Sequence, residues 1–429
     1  MSPYMSIQSV RAGENIEENI TIESADPECS SIVIKVSSVE DQRDILVNIY
    51  IFFKSSFPDK DGKLRDDTKK RIFSEISQGL MATVEEYAYA STSVPQNGGF
   101  LDAYLGHCDS LRQDPLKDVV WDYKNLSLDR CFDTKIFYKY ASEPERLLPL
   151  LLALGHNTYF TQLSLENFSI PREIAAGFLD MLRTNETLAV LNLSNCGLTR
   201  EYFQQIMNAL SENVSTKHFT ELNFSNNPLE DKGLAALTEY ISKCQGGLVT
   251  LDISNCRARK EAMYNFLAAL NGNEELKKSL RALRIAENRC TVTETGKLIE
   301  FIRDSMLSEI DVSSTELDMG VLRNARSATL RIVNLAHNRV KNPSDICSFL
   351  GNMHIRELSL AYCEINSRTL AQMLDRKGSK LLSLTVLDLS NNPLGDDGVN
   401  KITIIIILYL LYFFCIYYNY FYILFYLLF

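Results

Sequence analysis

The residue types that most often carry chemistry are scattered along this 429-residue chain. Ten cysteines form no C-x-x-C pair, and five histidines form neither an H-x-x-H nor an H-E-x-x-H pair, so the usual spacings of zinc ligands are absent. Gly296-Lys297 matches the end of a phosphate-binding loop, but the upstream glycine is missing and Leu298 follows. The sequence therefore predicts no catalytic residue, no metal site and no cofactor.

Composition is typical of an acidic globular protein. The formal net charge of −10 argues against a nucleic-acid partner, because binding to a phosphate backbone usually needs a basic face. The first twenty residues contain no apolar segment of the kind found in secretory signals. We therefore expect reduced thiols, a cytosolic location and partners that are proteins.

One pattern recurs along the chain and predicts its fold. The motif L-x-x-L-x-L-x-x-N/C-x-L aligns nine times, with successive copies 23 to 32 residues apart, which is the signature of leucine-rich repeats. The copies span 160–170, 188–198, 219–229, 248–258, 280–290, 307–317, 330–340, 355–365 and 384–394.

Each repeat is predicted to combine a short strand with a helix. The x-L-x-L core alternates with period two, whereas stretches such as 172–183, 200–213 and 232–243 place apolar residues at three- and four-residue spacing. The predicted fold class is α/β, a leucine-rich repeat solenoid with parallel strands on its concave face and helices outside.

The N/C position of the motif is predicted to lie in the turn after each strand, where a side chain can satisfy buried backbone groups. Three cysteines are thereby interpreted as structural residues. The position is occupied by Phe168, Cys196, Asn227, Cys256, Asn288, Thr315, Asn338, Cys363 and Asn392.

Outward strand positions predict a protein-docking face on the concave side. A neighbouring column is nearly all Ser or Ala, which leaves room for a partner. The alternative is a solvated face without a ligand, and the mixed charges indicate no particular ligand class. The candidate residues are Asn192, Asn223, Asp252, Arg284, Glu309, Asp311, Asn334, Glu357 and Asp388.

The region before the repeats is predicted to hold a strand at 30–36, a helix at 39–57 that Pro58 ends, and a second helix at 64–90. Distinctive residues then follow: GGF at 98–100, Tyr104, Cys108-Asp109 and Val120-Trp121-Asp122. We refer to residues 98–122 as the GGF segment.

The GGF segment and the repeat sequence NNPLEDKGL (226–234) resemble the CARMIL family, capping protein regulator and myosin linker, over residues 30–400. The resemblance implies a non-enzymatic scaffold of actin filament capping, lamellipodium assembly and cell migration, located in the cytoplasm at the plasma membrane. Family members carry a lipid-binding pleckstrin-homology domain, a linker, a capped solenoid, a dimerisation region and a tail that binds actin capping protein.

Five segments are expected in this chain, and the resemblance supplies the interpretation of the first. Only the last strand and closing helix of the pleckstrin-homology fold are expected, so lipid binding there is expected to be incomplete. The dimerisation region and the capping-protein-binding tail are not expected in these 429 residues. The segments are 1–58 (partial pleckstrin-homology-like), 59–97 (helical linker), 98–157 (N-terminal cap), 158–400 (repeats) and 401–429 (apolar tail).

The tail from 402 to 429 contains no charge and no Gly, Ala, Val, Ser or Pro. Its length suits a membrane span. However, real spans usually include small residues for packing, and this run begins inside the ninth repeat with residues encoded by A/T-rich codons. We therefore favour intron read-through, and an integral membrane protein is expected only if the run is expressed.

Three functional hypotheses remain open. The first is the CARMIL-type scaffold, and the second is a tail-anchored leucine-rich repeat membrane protein. The third is a GTPase-activating leucine-rich repeat protein with Arg284 as an arginine finger. Such activators are expected to resemble this chain in the repeats only. The presence of the GGF segment therefore argues against the third hypothesis.

Overall fold

The computed structural model describes residues 7–13, 19–24, 30–57, 63–90, 96–125, 129–213, 219–374 and 384–400. The chain divides into two compact units, Met1–Asn227 and Pro228–Phe429. The apolar tail predicted at 401–429 lies outside the described residues.

The first unit begins with a small sheet and three helices around one hydrophobic core. The sheet order is β3-β2-β1-β4, antiparallel except for the parallel pair β1–β4. Val10, Leu46, Ile72 and Val84 are among the side chains that form the core. The elements are β1 (Ile7–Ala12), β2 (Ile20–Ser24), β3 (Ser31–Ile34), α1 (Val39–Ser56), α2 (Asp66–Phe73), β4 (Glu75–Ile76) and α3 (Gln78–Ala90).

Two expectations for this part need correction. The strand and helix predicted from the sequence exist as β3 and α1, but β1 and β2 precede them. The single helix predicted at 64–90 is wrong, because Glu75 and Ile76 pair with Arg11 and Ala12 of β1 and divide it into α2 and α3. Assignment of these residues to a pleckstrin-homology-like domain stays a prediction.

The GGF segment contributes to an aromatic core in front of the first repeat. Phe100 stacks on Tyr123 and meets Phe132 and Phe160 edge to face. The Tyr104 hydroxyl accepts a hydrogen bond of 2.8 Å from the backbone N–H of Leu116. The cap helices are α4 (Phe100–Ser110), α5 (Lys117–Asn125), α6 (Lys135–Lys139) and α7 (Leu148–His156).

All nine predicted repeat strands are present, so the prediction of a leucine-rich repeat fold is confirmed. In the first unit, three parallel strands alternate with helices. These are β5 (Gln162–Ser164), α8 (Arg172–Thr184), β6 (Val190–Asn192), α9 (Arg200–Glu212) and β7 (Glu221–Asn223).

In the second unit, six parallel strands pair in chain order. Its elements are α10 (Glu230–Lys243), β8 (Thr250–Asp252), α11 (Lys260–Gly272), α12 (Glu274–Ser279), β9 (Ala282–Arg284), α13 (Val292–Asp304), β10 (Glu309–Asp311), α14 (Met319–Leu322), β11 (Ile332–Asn334), α15 (Pro343–Gly351), β12 (Glu357–Ser359), α16 (Ser367–Leu374) and β13 (Val386–Asp388).

The residues at the N/C position form a buried ladder, as predicted. Asn227 donates through Nδ2 to the carbonyl of Leu193 at 2.8 Å, and its Oδ1 accepts from the backbone N–H groups of Cys196 and Leu198. The Sγ of Cys196 in turn donates to the carbonyl of Leu165 at 3.0 Å. Burial raises the pKa of the Cys196 thiol to about 12, which suits a structural thiol rather than a reactive one.

The ladder works in pairs of repeats, which the sequence analysis did not recognise. Each asparagine reaches back to the turn of the repeat before it, and that repeat carries Cys or Thr instead. The pairs are Cys196 with Asn227, Cys256 with Asn288, Thr315 with Asn338, and Cys363 with Asn392.

Replacing Asn227 by alanine is expected to lower the free energy of unfolding by about 3 kcal/mol or more, because two buried N–H groups and one carbonyl lose their partner. Denaturant unfolding of the full chain would measure this loss. The matched control is N208A, since Asn208 is exposed on α9 and should cost less than about 0.5 kcal/mol. Equal effects of the two variants would contradict the ladder.

Two glycines of the GGF segment allow a close backbone contact with α1. Gly98 and Gly99 have φ of 65° and 74°, and a Cβ on Gly99 would lie 1.7 Å from the carbonyl oxygen of Ser55. The Asn157 Nδ2 donates to the carbonyls of Asn97 and Gly98 at 3.0 and 3.3 Å, which holds the turn in place. The glycine pair therefore joins the N-terminal helix to the cap.

The G99A variant is expected to lose at least about 2 kcal/mol of folding stability, because a new Cβ collides with backbone at a left-handed φ. The matched control is G296A. Its Cβ meets nothing within 4 Å in the interior of α13, so it should stabilise the protein by about 0.5 kcal/mol or more. Thermal unfolding of both variants would measure these changes in stability. A G99A variant with unchanged stability would contradict the close contact.

Two partly buried histidines make the first unit sensitive to acid. Burial lowers the pKa of both His107 and His156 from 6.5 to about 4, and for His156 the charge of Arg65 adds to the effect. When the pKa of a histidine is lower in the folded state than in the unfolded state, its contribution to folding stability is complete at pH values above the unfolded pKa. That contribution declines as the pH falls through 6.5 towards 4, because only the unfolded chain takes up the proton.

We expect the free energy of unfolding to drop between pH 7 and pH 4.5, by on the order of 2 kcal/mol for each histidine. Urea unfolding at several pH values gives the free energy of unfolding as a function of pH. We expect this free energy to change less steeply with pH in H107Q than in the unmodified chain. The exposed His354 supplies the control, since H354Q should leave the slope unchanged. An identical slope in H107Q would contradict the assignment.

Candidate protein-interaction face

Asn and Asp side chains in the outward strand column cap the turn that follows each strand. In each case Oδ1 accepts a hydrogen bond of 2.9–3.1 Å from the backbone N–H two residues further on, which forms an Asx turn. The sequence analysis missed this structural role, although the recurrence of Asn or Asp was a visible signal. The capping residues are Asn192, Asn223, Asp252, Asp311, Asn334 and Asp388.

The nine predicted site residues divide between the two units. Asn192 on β6 and Asn223 on β7 lie in the first unit, where they occupy paired positions on adjacent strands. The other seven lie on β8 to β13 of the second unit. We call the outward side chains of β8 to β13 the strand face.

Arg284, the proposed arginine finger, is held by a neighbour on the strand face. Its Nε and Nη2 lie 3.0 and 2.6 Å from the same carboxylate oxygen, Oε1 of Glu309 on the adjacent strand. Both side chains are partly buried. The charge of Arg284 is therefore compensated within the face.

Two further lateral pairs connect strands of the face. The amide of Asn334 donates to Asp311 Oδ2 at 2.9 Å, and the hydroxyl of Ser359 donates to Asp388 Oδ2 at 3.0 Å. Hydrogen bonds from the backbone N–H and hydroxyl of Ser390, together with Ser359, lower the pKa of Asp388. The contacts to Asp388 favour its ionised form, and the two lateral hydrogen bonds fix the directions of both carboxylates.

Acidic side chains outnumber basic ones on the strand face. Asp252 and Glu357 make no ion pair within the described part of the chain, and Glu357 is exposed. Arg284 is already paired with Glu309. The net charge of the face is therefore negative, a feature that the mixed composition of the full sequence did not reveal.

The described residues contain no group of three or more His, Cys, Asp or Glu side chains that could hold a metal ion. None of the helices in the described ranges has the length and apolar character needed to cross a bilayer. The strand face combines fixed carboxylates with small side chains, an arrangement suited to binding by charge and shape.

Comparison with protein families identifies leucine-rich repeats directly. The family model described as "Leucine Rich repeat" matches residues 216–237, 351–368 and 380–402. Protein CARMIL of Dictyostelium discoideum is 27% identical over 316 residues, which cover 71% of this chain and 30% of the relative. The human "Capping protein, Arp2/3 and myosin-I linker protein 3" is 26% identical over 258 residues, 58% of this chain and 19% of the relative.

A protein with a different printed name is similar over a longer stretch. "Rho GTPase-activating protein gacW" of D. discoideum is 26% identical over 372 residues, which cover 84% of this chain and 32% of the relative. This match is longer than the repeat region 158–400, so the expectation that GTPase activators share the repeats alone is wrong. This chain spans about a third of the length of gacW and of Protein CARMIL.

Solved structures with leucine-rich repeats also match. The leucine-rich repeat domain of APL1 aligns with a TM-score of 0.30 and 18% identity over 56% of this chain and 52% of that domain. The nine strands and the ladder are those of a leucine-rich repeat fold, and over that fold the chain is similar to the relatives named CARMIL at 26–27% identity.

Proposed function

We propose that this chain is the repeat-containing part of a non-catalytic scaffold of actin regulation, acting in the cytoplasm at the plasma membrane and the cytoskeleton. The similarity to Protein CARMIL over 71% of the chain is the observation that carries the proposal. The GGF segment builds the aromatic core in front of the first repeat, but the match to gacW also extends beyond the repeats, so this segment does not separate a scaffold from a GTPase activator.

The strand face is the proposed docking surface for a protein partner. Its carboxylates are held in fixed directions by Asx turns and lateral hydrogen bonds, which reduces the entropy lost on binding. The excess of negative charge favours a partner that presents Lys or Arg side chains. The small Ser and Ala side chains beside the carboxylates allow such a partner to approach closely.

The name of the human relative suggests which partners to test first: capping protein, the Arp2/3 complex and myosin-I. Binding of the full chain to each purified protein would be measured by calorimetry. A pyrene-actin assay of barbed-end elongation would then report whether the chain alters the effect of capping protein.

The triple variant D252N/E357Q/D388N removes three charges from the strand face. Oδ1 of residues 252 and 388 still caps its turn, and the hydrogen bond between Asn334 and Asp311 stays intact. We expect unchanged thermal unfolding and at least about tenfold weaker binding of the partner, because interfacial charge pairs are lost.

The matched control removes three exposed acids of the second unit that lie outside the strand face, in the variant E261Q/D396N/D397N. Equal loss of binding in both variants would contradict the proposal that the strand face is the docking surface. If the chain binds none of the three actin regulators, the proposed actin function is contradicted.

Activation of a Rho-family GTPase is the second candidate, favoured by the match to gacW. The ion pair between Arg284 and Glu309 argues against Arg284 as the finger, because a catalytic arginine must reach the nucleotide phosphates. A single-turnover GTP hydrolysis assay with the full chain and with R284A separates the candidates. Stimulation that R284A abolishes would favour activation over scaffolding.

A further inference from the structure

The second unit contains a basic cleft beside the strand face. Its volume is about 560 Å³, and it is open to solvent. We call it the arginine cleft. The lining residues used below are Arg303, Arg326, Ala328, Arg331 and His354.

The arginine cleft lies at the shortest repeat of the protein. Copies of the motif beginning at 307 and 330 are only 23 residues apart, and the outer helix between them, α14, has four residues. The flanking helices α13 and α15 have thirteen and nine residues. Arg303 comes from the last turn of α13, while Arg326 and Ala328 follow α14 directly, so the cleft opens where the outer layer is thin.

Arg331 is held in position without losing its charge. Its Nη1 donates to the carbonyl of Leu330 and its Nη2 to the carbonyl of Ala328, both at 2.8 Å. Carbonyl groups are neutral, so these bonds orient the guanidinium and leave its charge uncompensated. The remaining N–H groups are available to a ligand, since a guanidinium has five.

Arg326 adds a second uncompensated charge. It is exposed and makes no ion pair with any residue that the structure describes. Arg303 differs, because Asp304 binds it through two oxygens at 2.7 and 2.8 Å. The cleft therefore presents two unneutralised guanidinium groups, with His354 as a further polar group at the same site.

Two guanidinium groups that line one cleft are suited to a phosphate group, whose oxygens accept paired N–H bonds from arginine. We propose that the arginine cleft binds a phosphorylated serine or threonine of a partner protein. This inference goes beyond the proposed actin function and does not rest on it.

A peptide suits the surroundings better than an anionic membrane does. The positive charge is confined to one cleft, whereas Glu309, Asp311 and Glu357 lie on the strand face of the same unit and the whole chain carries −10. A broad anionic surface would be repelled by this distribution. Glu309 and Glu357 both pair with Ile332, the residue that follows Arg331, so acidic strand positions border the cleft. A single phosphate group needs only the two guanidinium groups, whereas a broad anionic surface must also meet these acids.

The experiment uses the full chain and a fluorescein-labelled peptide pool with one phosphoserine flanked by randomised residues. Anisotropy is measured for this pool and for an otherwise identical unphosphorylated pool. We expect the phosphorylated pool to bind at least about tenfold more tightly, and R326Q to weaken that binding about tenfold. The control R368Q removes an exposed arginine of α16 outside the cleft and should have no effect.

Other outcomes would overturn the proposal. Equal binding of both pools, or equal loss in R326Q and R368Q, would indicate non-specific attraction. Sedimentation with phosphatidylcholine–phosphatidylserine vesicles provides the second arm. Vesicle binding that R326Q removes, without preference for the phosphorylated pool, would assign the cleft to a lipid headgroup instead. Unchanged thermal unfolding of R326Q is required for either conclusion.

Discussion

Satisfying the buried backbone at the turn after each strand is the constraint on which the rest of this structure depends. The turn leaves N–H and C=O groups inside the core, where an unsatisfied group is costly. Asn227, Asn288, Asn338 and Asn392 each supply a donor to one strand end and an acceptor to the turn of the preceding repeat. This bond fixes the stacking of repeats, and the stacking in turn fixes which strand residues face outward.

The alternation of asparagine with cysteine or threonine follows from the same chemistry. A thiol is only a weak donor and acceptor, and a hydroxyl carries a single O–H, whereas an amide offers two N–H donors and a carbonyl acceptor on separate atoms. A repeat with Cys256 or Cys363 therefore relies on the asparagine of the next repeat to complete its turn. In each of the four pairs, one repeat carries Cys or Thr and the next carries the asparagine that completes the turn.

Regular features of this fold could be predicted from the sequence, and features that depend on distant pairing could not. The strands and the ladder follow from a pattern that repeats nine times. By contrast, β4 interrupts a good helical sequence because Ile76 pairs with Ala12, more than sixty residues earlier. The ion pair of Arg284 with Glu309 and the depth of the arginine cleft likewise depend on which repeats are adjacent and how long their helices are.

The Asx turns have a consequence for how the strand face changes over evolutionary time. Asparagine and aspartate both provide the Oδ1 that caps the turn, as Asn192 and Asp252 illustrate. A single exchange between them alters the charge of the surface by one unit while the backbone stays where it is. Duplicated copies of such a protein can therefore acquire different binding partners by stepwise changes in charge, without passing through a destabilised intermediate.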